Sequence, residues 1–212
     1  MIPWTAAILA GGQARRLGGT DKSALVVGAR SILDRQLSLL HGLTSHLLIV
    51  TNDRSRVPAV EDVPVVVDRI GGAGALGGLY TALMEAPTEQ VLVIGCDMPF
   101  LTAPFLRHLA ECGRDVDVAV PRNEHGRHPL CASYARRTAS HFQSRIQAGD
   151  LRIGEALMDL TVRELGPDNL ALFDRDGDLL LNVNTPEDYA RARSIAAARE
   201  SSHRADPQPP TR

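Results

Sequence analysis

A glycine-rich, basic segment near the N-terminus carries the side chains best suited to holding phosphate. It reads LAGGQARRLGGTDK over residues 9–22. Its glycines, among them Gly11 and Gly12, let backbone N–H groups approach a polyanion closely because no Cβ intervenes. Arg16 and Lys22 add positive charge, and Lys22 is the only lysine in the chain. An ammonium group places a compact point charge on a phosphate, which a planar guanidinium cannot do.

The spacing of this segment differs from that of the two commonest glycine loops. A P-loop requires G-x-x-x-x-G-K-[ST], but Lys22 follows an aspartate. A dinucleotide-binding loop requires G-x-G-x-x-G opening into a helix, whereas here two glycine pairs are separated by five residues. A phosphate-binding loop of another class is therefore expected, and a loop that binds nothing is the alternative.

Three further polar sites each follow directly after an apolar run: Thr51-Asn52, Asp68 and Asp97. Short apolar runs alternate with segments of helical period, which predicts an α/β fold with a mostly parallel sheet. Ligands of such sheets bind at the carboxyl ends of the strands. We therefore expect the glycine-rich segment and these three sites to converge on one edge.

Asp97 is the strongest candidate for a metal ligand. Mg²⁺ is bound by a carboxylate together with phosphate oxygens and waters, and Asp97 follows an apolar run that predicts a buried strand. The alternative is a cap for the next helix, a role that Thr102 fills better. Asn184 and Asn182 offer neutral oxygens to the metal or to a second substrate, although asparagines also favour turns.

The predicted elements are seven strands and six helices. Strands are expected at 4–9, 47–50, 63–67, 91–94, 116–120, 128–134 and 161–165, with a short extended piece at 25–27. Helices are expected at 32–40, 79–85, 104–112, 135–148, 152–158 and from 186 to about 200. Ser31 is the predicted N-cap of the first helix, and Thr185 with Asp188 forms an acidic capping box for the last. Residues 1–200 are expected to form one domain, and the polar, proline-containing residues 201–212 a disordered tail.

Bulk composition sets broad limits on function. The 212 residues are 44% hydrophobic and 23% charged, with a formal net charge of −2. This charge gives no reason to expect a nucleic-acid or membrane partner. The three cysteines lack C-x-x-C spacing, which favours free thiols over a zinc site or a disulfide framework. No targeting segment or membrane span is evident, so a soluble, cytoplasmic protein is expected.

Four segments in order resemble one enzyme family: residues 9–22, residues 68–78, GCDMPFL at 95–101 and NVNTPED at 182–188. They resemble the nucleotidyltransferases that activate small molecules with a nucleoside triphosphate, and are most similar to the molybdenum cofactor guanylyltransferase (molybdopterin nucleotidyltransferase) family. The resemblance covers about residues 4–198. Leu17 replaces the usual methionine of the family pattern, and Ala75 replaces a proline.

This resemblance implies a three-layer Rossmann-like sandwich of the nucleotide-diphospho-sugar transferase type. It also implies transfer of GMP from GTP to molybdopterin with Mg²⁺ and release of pyrophosphate, and transient contact with molybdenum-inserting or acceptor enzymes. A cytidylyltransferase, another small-molecule nucleotidyltransferase and a non-catalytic nucleotide-binding module are the alternatives. A Rossmann-type oxidoreductase is disfavoured by the loop spacing.

Roles for individual residues follow from the same resemblance. The implied catalytic residues are Arg16, Lys22 and Asp97. The implied nucleotide-binding residues are Leu9, Ala10, Gly11, Gly12, Lys22, Thr51 or Asn52, Asp68 and Asp97. The metal would be held by Asp97 and Asn184, and the acceptor by Asn182, Asn184, Arg122 and His128. Asp68 has a structural alternative as a loop cap or as a partner for the neighbours of Arg69, and His128 as an ordinary residue at a strand edge.

Overall fold

The computed structural model of the chain describes residues 3–11 and 24–205. Within them a mixed, mostly parallel eight-stranded sheet lies beside a small two-stranded hairpin. In chain order the strands are β1 (Thr5–Leu9), β2 (Val26–Val27), β3 (Arg30–Ser31), β4 (His46–Thr51), β5 (Val65–Val67), β6 (Gln90–Gly95), β7 (Val118–Asn123), β8 (Gly126–Arg127), β9 (Cys131–Ala135) and β10 (Val162–Leu165).

The order of strands in the sheet is β10-β7-β9-β6-β1-β4-β5, with β8 paired to β7. β9 runs antiparallel to both neighbours and β8 is antiparallel to β7, whereas the remaining pairs of this sheet are parallel. β2 and β3 form the separate antiparallel hairpin. The helices are α1 (Ile32–His41), α2 (Gly74–Glu85), α3 (Ala103–Cys112), α4 (Ala139–Gln147), α5 (Ile153–Ala156), α6 (Pro167–Ala171) and α7 (Pro186–Ala205).

Successive residues of the central strand β1 point to opposite faces of the sheet. Ala6 and Ile8 pack with α1 and α3 in one hydrophobic cluster, whereas Ala7 and Leu9 pack with α2 and α4 in another. Both faces of the sheet are therefore covered by helices, and the predicted three-layer α/β sandwich is confirmed. Within the described residues, no helix combines the length and the apolarity that a membrane crossing requires.

A third hydrophobic cluster lies beside the sheet and connects segments that are far apart in the chain. Val27 of the hairpin, Phe100 and Val183 pack against Ala192 and Ala196 of α7. The hydroxyl group of Tyr189, also on α7, donates a hydrogen bond of 2.9 Å to the Val26 carbonyl. The long C-terminal helix thus holds together the hairpin that follows residues 12–23, the segment after Asp97 and the segment around Asn184.

Two helices extend further than the sequence predicts. α2 begins at Gly74 and not at residue 79, and Gly77, within this added turn, serves close packing and not a loop. A Cβ atom on Gly77 would lie 2.9 Å from the Ala73 Cβ and 3.3 Å from Oδ2 of Asp68. α7 continues to Ala205 and not to about residue 200, so residues 201–205 of the predicted tail are helical. They contain no glycine or proline that would end the helix.

The second half of the chain shows smaller differences. β9 begins at Cys131 and not at His128, because Pro129 has no N–H to donate to a ladder. The predicted helix 135–148 consists of a short 3₁₀ turn (Arg136–Thr138) followed by α4. α6 was not predicted, although its proline at the first helical position is a typical start.

Candidate active site

The strand order places a crevice at the carboxyl end of β1. The chain runs from β1 to β4 and β5 on one side, and then returns to β6 on the other side of β1. Such a switch point is where open α/β sheets bind their ligands. The Cys96 N–H donates to the Leu9 carbonyl at 3.1 Å, and the Ala10 N–H donates to the Val50 carbonyl at 2.8 Å. These bonds hold the ends of β1, β4 and β6 side by side, as the sequence predicts.

The end of β4 distinguishes between Thr51 and Asn52. Thr51 is 1% exposed, and its hydroxyl group donates to the Asp53 carbonyl at 3.0 Å and accepts from the Asp53 N–H at 3.1 Å. Asn52 is exposed and lies next to Gly11, since a Cβ on Gly11 would be 3.5 Å from the Asn52 nitrogen. Thr51 therefore stabilises the turn through hydrogen bonds to the backbone of Asp53, and Asn52 is the residue of the pair that reaches the crevice.

Asp68 follows β5 and lies against α2. Its N–H donates to the Thr51 carbonyl at 2.8 Å, and its Oδ1 accepts a 2.8 Å hydrogen bond from the Thr81 hydroxyl group. Burial raises the pKa of the Asp68 carboxyl above its ordinary value, while the hydrogen bond from Thr81 acts in the opposite direction. Arg69 does not pair with Asp68, because its guanidinium group donates to Glu85 at 2.7 Å. The Asp68 carboxylate is thus held at the edge at an energetic cost, which is typical of functional sites.

Asp97 lies in the turn that follows β6 and is half-buried. A Cβ on Gly95 would be 2.8 Å from its Oδ1, so the carboxylate group folds back over the last residue of the strand. The Asp97 carbonyl accepts a 2.8 Å hydrogen bond from the Val183 N–H. Asp97 and the 182–184 segment are therefore attached to each other, although 85 residues lie between Asp97 and Val183.

The predicted capping box of α7 is confirmed. The Asp188 N–H donates to the Thr185 hydroxyl group at 3.1 Å, while the Asp188 carboxylate accepts from the N–H groups of Asn184 and Thr185 at 3.0 and 2.9 Å. Three backbone N–H groups at the start of the helix are satisfied in this way. The cap fixes the backbone of Asn184, whose side chain is exposed at the crevice.

A cleft of about 640 Å³ opens beside this segment. Asn182, Asn184 and His128 line it, together with Asn123 and Arg191. The structure thus brings together three of the four predicted acceptor-binding residues. The volume is within the usual range of about 300–1,000 Å³ for small-molecule sites.

Arg122 is the fourth predicted acceptor-binding residue, and the structure places it elsewhere. It does not line this cleft, and its guanidinium group pairs with Glu164 of β10 at 3.2 Å. Arg127 pairs with the same carboxylate at 2.6 Å. The hydrogen bonds from Arg127 and Arg122 hold the pKa of Glu164 below its ordinary value. The sequence does not predict this cross-strand carboxylate, with which the Arg122 guanidinium group is paired.

His128 contributes a neutral group to the cleft. Burial lowers the pKa of its imidazole below the ordinary value, and the nearby His125 lowers it further. Its Nε2 atom is buried and has no hydrogen-bond partner among the described residues. His128 is therefore suited to a hydrogen bond with an uncharged part of a ligand and not to an ion pair with phosphate.

The oxygen donors at this edge fit a hard divalent cation. Asp97 provides a carboxylate and Asn184 an amide oxygen, which are the ligand types that Mg²⁺ takes. Within residues 3–11 and 24–205, no group of three or more His, Cys, Asp or Glu side chains is arranged to hold a metal. These described residues would thus supply few ligands, and substrate phosphates and waters would complete the coordination.

Three predicted site residues, Gly12, Arg16 and Lys22, lie outside the described residues. Thr81, in contrast, is a site residue that the sequence analysis missed. It is completely buried in α2 and hydrogen-bonded to Asp68. Its signal in the sequence is a lone threonine within the largely apolar run GALGGLYTALM.

Comparison with known proteins decides the family. The model of the MobA-like NTP transferase domain matches residues 6–160. The chain belongs to this family. The predicted molybdopterin nucleotidyltransferase family is thereby confirmed, and with it the prediction of a nucleotidyltransferase enzyme.

Individual members of the MobA-like family and of its fold agree with this result. The "Probable molybdenum cofactor guanylyltransferase" of Pelotomaculum thermopropionicum is 32% identical over 201 residues, covering 92% of this chain and 95% of the relative. The molybdopterin-guanine dinucleotide biosynthesis protein A of Archaeoglobus fulgidus superimposes with a TM-score of 0.79 at 26% identity, covering 92% and 99% of the two chains. A protein of Mycobacterium tuberculosis, solved in complex with manganese, shares the fold with a TM-score of 0.64 at 20% identity, covering 91% and 98%.

Proposed function

We propose that this protein transfers GMP from GTP to molybdopterin, forming the guanine dinucleotide cofactor and releasing pyrophosphate. The observation that carries this proposal is the convergence of Asp68, Asp97 and Asn184 at the switch point of a MobA-like sheet. The similarity to the probable molybdenum cofactor guanylyltransferase of Pelotomaculum thermopropionicum supports the same proposal.

The reaction requires one bond to form and one to break at the α-phosphorus. A phosphate oxygen of the acceptor attacks the α-phosphorus of GTP, and the bond from that phosphorus to the bridging oxygen of pyrophosphate breaks. The protein contributes mainly positioning and charge neutralisation. Arg16 and Lys22 are proposed to offset the charge that develops on the phosphates.

The nucleotide is proposed to lie across the carboxyl ends of β1, β4 and β5. Backbone groups of Leu9, Ala10 and the Gly11-Gly12 pair contact the guanine and the phosphates, because glycine allows a close backbone approach. Asn52 supplies an exposed amide beside Gly11. Asp68 contacts the nucleotide from the far side of the crevice.

Asp97 and Asn184 would hold a Mg²⁺ ion. When bound, the ion neutralises charge on the triphosphate and orients the α-phosphate. The hydrogen bond from the Val183 N–H to the Asp97 carbonyl supports this assignment, because it couples the backbones of the two ligand segments.

The acceptor is proposed to occupy the cleft lined by Asn182, Asn184 and His128. Amide and neutral imidazole groups suit the many polar edges of a pterin.

We also propose that residues 1–200 work as one cytoplasmic enzyme, and that the product passes to acceptor enzymes through transient contacts.

The activity is tested by measuring pyrophosphate release from each nucleoside triphosphate in the presence of molybdopterin and Mg²⁺. Release with GTP, and its loss in Asp97→Asn, are the expected results. Asp115→Asn makes the same chemical change at an exposed site before β7, at the opposite edge of the sheet, and should retain activity. Release with CTP but not with GTP, or full activity in Asp97→Asn, would contradict the proposal.

A further inference from the structure

Gln36 is a buried polar residue on the core-facing side of α1. It is 2% exposed, whereas the other buried residues of α1 are all aliphatic (Ile32, Leu33, Leu37 and Leu40). Its side-chain amide donates two hydrogen bonds, one to the Gly95 carbonyl at 2.7 Å and one to the Met98 carbonyl at 3.1 Å. Gly95 and Met98 flank Cys96 and Asp97. A single side chain from α1 therefore ties together the two ends of the turn that carries Asp97.

The oxygen of the same amide differs from its nitrogen. Oε1 of Gln36 is buried and has no hydrogen-bond partner among the described residues. Leaving a buried acceptor unpaired is unfavourable and offsets part of what the two donated hydrogen bonds contribute. Gln36 therefore contributes little net free energy to folding. Positioning of the turn that carries Asp97 accounts better for a glutamine at this site.

The Asp97 turn is held from two sides. Gln36 bonds to its two ends, and the Val183 N–H bonds to the Asp97 carbonyl between them. α1 itself follows the β2–β3 hairpin, and its Ile32 packs in the third hydrophobic cluster beside Val183. The backbone of Asp97 is thus fixed relative to both the hairpin and the Asn184 segment.

We propose that Gln36 is a positioning residue for Asp97. Its two hydrogen bonds hold the turn in the orientation that directs the Asp97 carboxylate at the divalent cation and the triphosphate. This inference rests on the proposed role of Asp97 as a metal ligand. Groups that orient a ligand without touching the metal typically change metal affinity or activity by about 10–100-fold when removed.

The chain provides a matched control at the other end of the same strand. Gln90, the first residue of β6, is 6% exposed, and its amide donates to the Ala110 carbonyl and to the Ser133 hydroxyl group. Gln90→Met and Gln36→Met therefore remove the same chemistry from equally buried positions. Methionine keeps the volume and the unbranched shape of glutamine, so neither variant leaves a large cavity.

The test measures Mn²⁺ binding by electron paramagnetic resonance in the presence of GTP, with Mn²⁺ as the spectroscopic substitute for Mg²⁺. Gln36→Met should raise the Mn²⁺ concentration for half-saturation by about 10-fold, and excess metal should restore much of its turnover. Gln90→Met should bind Mn²⁺ as the wild type does. Gln36→Asn, which keeps the amide but is too short to reach both carbonyls, should resemble Gln36→Met and serves if that variant folds poorly.

Asp97→Asn distinguishes the proposed metal site from the proposed positioning role of Gln36. If Asp97→Asn weakens Mn²⁺ binding but folded Gln36→Met and Gln36→Asn bind Mn²⁺ like the wild type, the positioning role is overturned and the metal site stands. If Asp97→Asn itself binds Mn²⁺ normally, both the metal site and the role of Gln36 are overturned. Equal weakening in Gln36→Met and Gln90→Met would also overturn the positioning role, because the effect would then be a general loss of stability.

Discussion

The Gly95→Ala substitution should impair nucleotidyl transfer while leaving the fold intact. Gly95 is the last residue of β6, and a Cβ added to it would lie 2.8 Å from Oδ1 of Asp97. The next nearest atoms, the Cβ and carbonyl oxygen of Leu130, are at 3.7 Å, which is an ordinary contact. The new methyl group therefore conflicts only with the carboxylate proposed to bind the metal.

The size of the effect follows from these distances. Relieving the contact moves Oδ1 by about 0.6 Å, from 2.8 Å to the 3.4 Å at which ordinary van der Waals contact begins. Mg²⁺ demands nearly ideal octahedral geometry at about 2.0–2.1 Å, and a displacement of about 1 Å in an active site can cost about 100-fold. We expect kcat/KM to fall by about 10–100-fold, equivalent to about 1.4–2.7 kcal/mol of transition-state stabilisation.

The assay is pyrophosphate release over a range of Mg²⁺ concentrations, combined with thermal unfolding of the same samples. Alanine loses less backbone entropy than glycine on folding, so the midpoint of unfolding should be unchanged or slightly higher. Gly154→Ala is the control, because a Cβ on Gly154 of α5 would meet no atom within 4 Å. Wild-type activity and wild-type metal dependence in a folded Gly95→Ala variant would refute the reasoning.

Three further substitutions probe charges at the site. Burial raises the pKa of the Asp68 carboxyl in the folded protein above its ordinary value of 3.8. The protonated carboxyl therefore stabilises the fold below pH 3.8, and this stabilisation is lost as the pH rises through the folded pKa. Asp68→Asn should therefore be more stable than the wild type at pH 7.5 in thermal melts, although its KM for GTP should rise. Burial lowers the pKa of the His128 imidazole in the folded protein below 6.5. As the pH falls from 6.5, the unfolded chain takes up the proton first, so the stability of the wild type should decline until the pH has passed the folded pKa. His128→Gln should remove this component from melts between pH 5 and pH 7.5. Lys22→Arg should lose pyrophosphate release despite its retained charge, because a planar guanidinium cannot occupy the place of a compact ammonium.

Each of these three predictions has a result that would contradict it. An equal stability of Asp68→Asn and wild type at every pH would show that the carboxylate is not strained by burial. The same acid dependence in His128→Gln as in the wild type would assign that dependence to other groups. Full activity of Lys22→Arg would make the lone lysine an accident of composition.

The residues at the strand ends were predictable because the alternation of apolar runs and helical segments determines a parallel sheet. Asp97 and Asp68 follow such runs directly, so their position at one edge needs no knowledge of packing. The capping box of Thr185 and Asp188 was predictable for a similar reason, since its hydrogen bonds connect residues only three apart.

The remaining features depend on contacts between distant residues. Gly77 resembles a loop glycine in the sequence but lies in α2, where Asp68 and Ala73 leave no room for a side chain. Arg122 resembles an acceptor-binding cation until Glu164, 42 residues later, is placed beside it. Gln36 is inconspicuous in the sequence because its two acceptors are 59 and 62 residues away. Tertiary packing overrides local propensity at positions of this kind.

The central claim is that the α-phosphoryl group of GTP, with its nucleoside, passes to molybdopterin. It is tested most directly with GTP carrying ³²P at either the α or the γ position, in parallel reactions with molybdopterin and Mg²⁺. The α label is expected in the pterin product and the γ label in pyrophosphate, and neither label should be transferred when molybdopterin is omitted. Recovery of the γ label on the pterin, or of unchanged GTP in both reactions with a competent acceptor, would contradict this claim.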